Sequence, residues 1–188
     1  MSHPEISENE TEIVREVLIT EEQIKNRVRE LAGEIHKRYS GQHLVLVMIL
    51  KGAFIFGADL ARELGRLNQD LSVEFVQVSS YGAATESSRD PLLLLDVSDE
   101  KIKDQNVLIV EDIVDSGYTL NFLLRHFGEK ADSIGIAALL SKPSRREVDV
   151  PIDFLGFEIG NVWVEGYGID TADEFRQLPY IAARIEQA

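Results

Sequence analysis

Cysteine is absent from the 188-residue chain. A disulfide framework, a thiolate nucleophile and a cysteine-based zinc site are therefore excluded, and a reducing compartment is the expected environment. Long apolar runs are absent as well, since none reaches the length of a membrane span. The first residues, MSHPEISENETEIVRE, are polar and acidic where a secretory signal would be basic and then apolar. These absences predict a cytoplasmic protein with no membrane partner.

Basic residues are scarce. The chain has 19 Lys and Arg against 33 Asp and Glu, which gives a formal net charge of -14. This charge repels nucleic-acid phosphates, so no nucleic-acid partner is expected. A small anionic substrate remains compatible with it, because backbone amides, helix N-termini and bound cations act over a few ångströms whatever the total charge.

The apolar residues that are present, 44% of the chain, follow alternating helix and strand patterns and suffice for the core of one globular domain. Thr20 and Gln23 have capping-box spacing before a helical stripe, and continuous apolar runs predict strands covered on both faces. The predicted order is helix 21–38, strand 44–50, helix 53–64, strand 73–78, strand 92–97, strand 107–111, helix 118–127 and strand 134–140. This alternation predicts an α/β fold with an open, mainly parallel, doubly wound sheet.

Two segments do not fit this alternation. Residues 79–89, SSYGAATESSR, are small and polar, and they predict a loop long enough to close over a substrate. From Pro143 onward, prolines and glycines interrupt short apolar pieces. We therefore expect a single domain, 1–188, with a core over about 20–142 and a small hood lobe made of 143–188 and the N-terminal segment.

The stretch VLIVEDIVDSGYTL, residues 107–120, carries the clearest chemistry. An apolar strand brings Glu111 and Asp112 to its carboxyl end, where ligands bind in open α/β sheets. Gly117 then permits a tight turn, and the free amides of the following helix favour a phosphate. The acids would repel that phosphate unless they face sugar hydroxyls or a divalent cation, so a phosphorylated sugar with magnesium satisfies both halves. From these residues alone, Asp115 and Ser116 are equally well interpreted as simple helix caps.

The same stretch resembles the diphosphoribosyl-binding signature of the type I phosphoribosyltransferases. Other motifs resemble the hypoxanthine-guanine branch of that family and together cover most of residues 44–184: Leu50-Lys51-Gly52, Ser80-Tyr81-Gly82, Leu140-Ser141-Lys142-Pro143, Asp153 through Glu158, and Gly166 through Asp170. The resemblance implies transfer of the 5-phosphoribosyl group from 5-phosphoribosyl diphosphate to N9 of a 6-oxopurine in purine salvage, forming IMP or GMP and pyrophosphate. It also implies Mg²⁺ as cofactor and a homodimer or homotetramer.

The resemblance assigns roles at the sugar-phosphate end. Glu111 and Asp112 would hold ribose hydroxyls near magnesium, and Asp115 would be the catalytic residue that exchanges a proton with purine N7. Lys51-Gly52 would meet the pyrophosphate, often with a cis peptide bond, and Ser80-Tyr81 would belong to a lid. The implied phosphoribosyl diphosphate site comprises Lys51, Gly52, Ser80, Tyr81, Glu111, Asp112, Asp115, Ser116, Gly117, Tyr118, Thr119 and Arg176.

The resemblance also implies a purine site made of Lys142, Trp163, Val164 and Asp170. Lys142 would donate to purine O6, Trp163 would stack on the base, and the Val164 backbone would contact its edge. Asp170 would bind a second magnesium, so the implied metal ligands are Glu111, Asp112 and Asp170. Without the resemblance the plainer interpretations are an exposed lysine, a core tryptophan and, for Arg176, a surface ion pair.

Two features depart from the family pattern. Gly160-Asn161-Val162 replaces a common Pro-Asp and charged residue, and Glu165 replaces a usual apolar residue. If 162–166 is extended, Trp163 and Glu165 point to the same side, and the Glu165 carboxylate either accepts from the guanine 2-amino group or faces solvent. Xanthine therefore stays open as an alternative base. A non-catalytic regulator that binds phosphoribosyl diphosphate is a second alternative, although its nucleic-acid contacts would call for a basic face, and none is evident.

Overall fold

The structure is a computed structural model and describes residues 12–79 and 91–187. The α/β class and most of the predicted elements are confirmed. In chain order the elements are β1 (Glu12–Ile19), α1 (Glu21–Arg38), β2 (Leu44–Leu50), α2 (Phe54–Arg66), β3 (Leu71–Ser79), β4 (Leu92–Leu95), α3 (Asp99–Ile102), β5 (Asn106–Val114), α4 (Tyr118–Gly128), β6 (Ser133–Ser141), a 3-10 turn (Pro143–Arg145), β7 (Phe154–Glu158), β8 (Val164–Glu165) and β9 (Ile181–Gln187).

Six strands form the central sheet in the order β4-β3-β2-β5-β6-β7. All neighbouring strands run parallel except β3 and β4. Alternate side chains of β5 enter the two opposite cores: Leu108 and Val110 pack on the side of α1 and α2, while Val107 and Ile109 pack on the side of α4. Burial on both faces is why this strand is a continuous apolar run in the sequence.

Helix α1 begins where the capping box predicts. The Gln23 amide donates to Thr20 Oγ1, and the Thr20 amide donates to Gln23 Oε1 at 2.8 Å. Its stripe, Ile24, Val28, Leu31 and Ile35, is buried against the sheet. No helix in the described ranges is long and apolar enough to cross a bilayer.

Two differences from the sequence-based prediction affect the central sheet near the site. Strand β5 continues to Val114 rather than ending at 111, because Ile113 and Val114 add apolar residues that keep pairing with β6. The acidic pair, Glu111 and Asp112, therefore lies inside the last part of the strand. The segment after Pro143 was expected to form only a hood lobe, but β7 joins the central sheet parallel to β6. Its Phe154 is buried in the core, which stabilises this sixth strand.

A second sheet has three strands in the order β1-β9-β8, and neighbouring strands run antiparallel. It shares no strand with the central sheet. The N-terminal strand β1 thus pairs with the last strand of the chain, with Arg15 opposite Arg184 and Val17 opposite Ala182. Strand β8 pairs on the other side of β9, where Glu165 lies opposite Ala182. This sheet supports the turn that follows Glu165.

Candidate active site

The carboxyl ends of the parallel strands β2, β5 and β6 meet at one edge of the central sheet. In an open α/β sheet this edge is the usual position of a ligand site. Each strand is followed by a segment with an expected role in the site: Lys51-Gly52 after β2, 115–119 after β5 and Lys142 after β6. The turn 166–170 also approaches this edge, because Gly168 packs on Gly52.

Two adjacent carboxyl groups, those of Glu111 and Asp112, lie at this edge. Glu111 is only 7% exposed. Burial raises the pKa of Glu111 well above its usual value, and the neighbouring charge of Asp112 raises it further. Burial also raises the pKa of Asp112, while the charge of Arg176 offsets part of that effect.

Two glycines are stacked on this acidic pair with no room for side chains, Gly52 against Asp112 and Gly168 against Gly52. A Cβ built on Gly52 would lie 2.0 Å from Asp112 Oδ2, and one built on Gly168 would lie 2.1 Å from the Gly52 carbonyl oxygen. Gly168 also has φ +100, which favours glycine. The turn that contains Gly168 is tied to α2, since the Tyr167 hydroxyl donates to Asp59 Oδ2 at 2.6 Å. Only glycine at both positions allows the Lys51-Gly52 segment to lie between the turn and the acids.

The peptide bond between Leu50 and Lys51 is cis. The resemblance placed a cis bond within Lys51-Gly52, so the observed one lies a single bond earlier. The Lys51 side chain reaches Asp173, with Nζ 3.0 Å from Oδ1. Asp173 was not predicted from the sequence as part of the site.

Arg176 is the centre of a polar network beside Lys51. Its Nη2 lies 2.6 Å from Asp170 Oδ1 and 3.1 Å from Asp173 Oδ1, and its Nη1 donates to the Gly168 carbonyl at 2.8 Å. The second oxygen of Asp170 accepts from the Asp173 amide at 2.8 Å. Arg176 is therefore largely buried against the site rather than paired on an open surface.

The segment before α4 forms a cradle braced from outside. Gly117 has φ +93, and a Cβ there would lie 2.4 Å from the Val148 carbonyl oxygen. The Ser116 carbonyl accepts from the amides of Glu147 and Val148 at 3.0 and 2.9 Å. Arg146 adds side-chain donors to the carbonyls of Asp115 and Val114, at 3.1 and 3.3 Å. The loop is thus held in place by a segment distant in sequence.

The N-terminus of α4 has Gly117 at its cap position, and no side-chain hydrogen bond caps it in the part of the chain that the structure describes. The interpretation of Asp115 and Ser116 as plain caps is therefore wrong. The Asp115 carboxylate instead contacts Arg145, with Oδ1 3.2 Å from Nε. First-turn amides without intrahelical acceptors are suited to an anion.

Lys142 is buried, with 8% of its surface exposed, so its interpretation as another solvated lysine is wrong. Burial lowers the pKa of Lys142, and the charge of Asp115 offsets part of that effect. The Lys142 amide donates to the Val114 carbonyl at 3.0 Å, which joins the ends of β5 and β6. A cationic donor and the Asp115 carboxylate are therefore close enough to influence each other.

Comparison with known proteins agrees with this geometry. The phosphoribosyl transferase domain model matches residues 18–172. The chain is 48% identical over 169 residues to the hypoxanthine phosphoribosyltransferase of Salmonella typhimurium, covering 88% of this chain and 93% of that protein. It is 42% identical over 169 residues to the hypoxanthine-guanine phosphoribosyltransferase of Bacillus subtilis, covering 89% and 92%. This chain belongs to the phosphoribosyltransferase family.

Solved structures support the same assignment. A hypoxanthine-guanine phosphoribosyltransferase from Bacillus anthracis superposes with a TM-score of 0.83 at 39% identity, covering 93% of this chain and 99% of that one. The type I phosphoribosyltransferase fold inferred from the sequence is therefore confirmed. Ser80 and Tyr81, the expected lid residues of this phosphoribosyltransferase, lie outside the described residues.

The residues expected to form a purine site differ in their exposure. Trp163 is 62% exposed, so it is not a core tryptophan, and its Nε1 donates to Thr171 Oγ1 at 3.0 Å. Val164 is buried in β8. Glu165 is fully buried and ion-paired with Arg15, so the interpretation that it faces solvent is wrong. Strand β8 holds only Val164–Glu165, which is too short for the simple alternation assumed from the sequence.

Sequence reasoning missed Arg145, Arg146 and Asp173. A signal was available for the two arginines, since Lys142, Arg145 and Arg146 form a basic cluster directly after a strand in a chain with net charge -14. Asp173 gave no such signal, because a single acid in an acidic chain is ordinarily solvated. The described residues contain no cluster of three or more His, Asp or Glu that could by themselves enclose a metal ion.

Substituting Glu111→Gln should stabilise the ligand-free phosphoribosyltransferase. A raised pKa means that the folded state holds a proton that the unfolded state has lost, so stability falls as pH rises from the ordinary Glu value to the raised one. Gln removes that loss. Thermal melting should show a gain on the order of a few degrees above the raised pKa, shrinking toward about pH 4.

The matched control is Glu129→Gln, because Glu129 is exposed at the end of α4. Its melting temperature should follow the unsubstituted protein at every pH. If the Glu111→Gln variant melts lower than the unsubstituted protein at alkaline pH, ionisation of the buried Glu111 carboxyl does not destabilise the fold.

Proposed function

We propose that this chain transfers the 5-phosphoribosyl group from 5-phosphoribosyl diphosphate to N9 of a 6-oxopurine, hypoxanthine, guanine or both, in purine salvage. The products would be IMP or GMP and pyrophosphate. One observation carries the proposal: an acidic pair with Glu111 buried and Asp112 half-buried, an uncapped helix N-terminus and a buried lysine meet at one edge of the sheet. The relatives named for hypoxanthine and guanine support the choice of base.

The phosphate and the ribose of the substrate would bind to different groups of the site. The amides and hydroxyls of Ser116 through Thr119 would bind the 5-phosphate at the start of α4, where the helix dipole favours an anion. The carboxyl groups of Glu111 and Asp112 would accept hydrogen bonds from the ribose hydroxyls. The phosphate would then lie on donors and the sugar on acceptors, which resolves the repulsion between acids and phosphate.

Magnesium fits the same acidic pair. Mg²⁺ is commonly held by one or two carboxylates together with substrate phosphates and water, so Glu111 and Asp112 are suitable ligands without a full protein cage. The raised pKa of the Glu111 carboxyl is consistent with a site whose charge is completed by a bound cation. When bound, the ion would neutralise charge on the departing pyrophosphate. Asp170 is a weaker candidate, because Arg176 and the Asp173 amide already engage its two oxygens.

The diphosphate would lie over Lys51-Gly52. The backbone of this segment faces the space between the acidic pair and the 166–170 turn, and Arg176 adds a guanidinium group beside it. The Arg176 guanidinium would exchange some of its contacts with Asp170 and Asp173 for hydrogen bonds to the leaving pyrophosphate. Hydrogen bonds between an arginine and a phosphate are charge-assisted and therefore strong. Departure of the pyrophosphate breaks the bond between C1 of the ribose and its oxygen.

Asp115 would act as the proton acceptor. As N9 of the purine forms its bond to C1, the proton on N7 would pass to the Asp115 carboxylate, so that the base does not build up positive charge. Arg145 contacts this carboxylate at 3.2 Å and would orient it. The reacting groups need only be positioned and shielded from water, and no covalent nucleophile is involved.

The base would be selected by Lys142 and held by Trp163. Lys142, buried at the end of β6, would donate to purine O6, which adenine lacks. Trp163 exposes an indole face that suits stacking on a purine, and its ring is oriented by Thr171. The Val164 backbone would lie along the base edge. A regulator without catalysis is less well supported, because the acidic chain offers no electrostatic attraction to nucleic acid.

We also propose that the chain forms a homodimer or homotetramer through the edge of the central sheet. Leu92 and Leu94 of the edge strand β4 are 54% and 57% exposed, and Phe75 of β3 is exposed as well. Apolar side chains gathered at a sheet edge commonly mark an interface. Sedimentation velocity should show a dimer or tetramer that Leu94→Glu weakens, and a monomeric unsubstituted protein would contradict this.

A spectrophotometric screen tests the proposed activity. Hypoxanthine, guanine, xanthine, adenine and uracil are each supplied with 5-phosphoribosyl diphosphate and Mg²⁺. Hypoxanthine or guanine should turn over fastest and adenine should not react. Asp115→Asn should lower kcat by roughly 10²–10⁴-fold, because the amide cannot accept the N7 proton.

The control for this screen is again Glu129→Gln, which should retain full activity. Xanthine as the fastest substrate would leave phosphoribosyl transfer intact but correct the base. If no base turns over, the chain is not an enzyme of this class, and the regulator interpretation takes its place.

A further inference from the structure

Three charged side chains are buried in the described part of the chain: Glu111, Lys142 and Glu165. The first two have roles in the proposed reaction. Glu165 has none, although its side chain is fully buried in β8 directly before the turn that reaches the site. Burying a carboxylate costs folding free energy unless the group is paired. The contacts of Glu165 therefore show how its burial is stabilised.

Among the described residues, Glu165 has one ionic partner, Arg15, which comes from the other end of the chain. Arg15 of β1 donates from Nε to Glu165 Oε1. The second oxygen, Oε2, has no hydrogen-bond donor among the residues that the structure describes. Because the carboxylate is shielded from water and has one cation beside it, losing Arg15 would leave a buried unpaired charge.

The pair forms across an intervening strand. On the three-stranded sheet, Glu165 lies opposite Ala182 of β9, and Ala182 lies opposite Val17 of β1. Arg15 is two residues from Val17 and therefore projects from the same face. Ala182 has only a methyl group, which leaves room for Arg15 to reach over it to Glu165. The small residue in the middle makes the contact between β1 and β8 feasible.

Arg15 also contacts a third segment. Its guanidinium lies 4.0 Å from the centroid of the Phe175 ring, a cation–π contact. Phe175 has φ +69 and directly precedes Arg176. Arg15 thus joins β1, β8 and the 170–176 loop, and its position is fixed by the buried carboxylate of Glu165.

The contact with Phe175 leads directly to the diphosphate end of the site. The Arg176 carbonyl accepts from the Gly168 amide at 2.9 Å, and the Arg176 Nη1 donates to the Gly168 carbonyl at 2.8 Å. The same loop supplies Asp173, which holds Lys51 Nζ at 3.0 Å. A displacement of Phe175 would therefore move Arg176 and release Lys51 together.

We propose that Arg15 and Glu165 are positioning residues that hold Phe175, and through it Arg176 and Asp173, over the Lys51-Gly52 segment. They act on diphosphate binding and not on the chemical step or on the purine. This role rests on the proposed function for the identity of the ligand. Strand β1 would therefore contribute to diphosphate binding through Arg15, although none of its residues touches substrate.

The test uses two variants that disrupt the contact in different ways. Phe175→Leu removes the ring and leaves the ion pair intact. The double variant Arg15→Met with Glu165→Val removes both charges together, so no carboxylate is left buried and unpaired. Arg29→Met, an exposed arginine of α1, is the matched control. Thermal melting checks that each variant folds.

Binding is measured by calorimetric titration with pyrophosphate and Mg²⁺, and kinetics with 5-phosphoribosyl diphosphate and hypoxanthine varied separately. Both test variants should raise the Kd for pyrophosphate and the KM for 5-phosphoribosyl diphosphate about tenfold, as expected for loss of one cation–π contact. The KM for hypoxanthine and kcat should change less than about twofold. The control should match the unsubstituted protein.

Two outcomes would overturn the proposal. Unchanged pyrophosphate affinity in both folded test variants would make the Arg15–Glu165 pair a purely structural contact of the three-stranded sheet. A changed preference between guanine and hypoxanthine with unchanged pyrophosphate affinity would place the action of Glu165 at the base. Because the pyrophosphate titration needs no turnover, it remains decisive even if the screen of bases finds no activity.

Discussion

Two adjacent carboxyl groups at the end of β5, that of Glu111 buried and that of Asp112 half-buried, constrain the backbone around them. Glu111 and Asp112 lie in a strand covered on both faces, and burial raises the pKa of both. Water cannot solvate them fully, so the surrounding backbone must come close without adding bulk. Gly52 and Gly168 meet this demand, because any side chain at either position would collide with Asp112 or with the Gly52 carbonyl.

Because the 166–170 turn and the Lys51-Gly52 segment are stacked on the end of β5, the acidic groups and the helix N-terminus lie in different parts of the site. Under the proposed function, the acids would face a sugar or a cation, and the uncapped N-terminus of α4 would bind a phosphate. Cationic groups lie in two places: Lys51 and Arg176 beside the 166–170 turn, where the diphosphate would bind, and Lys142 and Arg145 near Asp115, where the base would react. A chain with net charge -14 can therefore bind a highly anionic substrate through local groups alone.

Much of this arrangement could be predicted from the sequence, and the exceptions have physical causes. Strands and helices with continuous or periodic apolar residues, such as β2 and α1, were located to within a residue or two. The short strand β7 was missed because a five-residue piece with a central glycine carries too little pattern. The motif residues of β5 were found because an apolar strand followed by acids and a glycine turn has few other uses.

Residues whose role depends on a distant partner could not be predicted. Arg146 braces the cradle through carbonyls some thirty positions earlier, and Glu165 is buried only because β1 supplies Arg15 from the far end of the chain. Sequence alone gave Glu165 two choices, the base or solvent, and neither included an ion pair with the N-terminal strand. Long-range pairing of this kind is fixed by sheet register, which local patterns do not encode.

The most direct test of the central claim measures protons. If Glu111 holds a proton in the free protein because of its burial, binding of sugar hydroxyls and a cation should expel it. Calorimetric titration with 5-phosphoribosyl diphosphate and Mg²⁺, in buffers of different ionisation enthalpy and over a series of pH values, reports the protons released. We expect the unsubstituted protein to release more protons than Glu111→Gln; equal release by the two would contradict the claim.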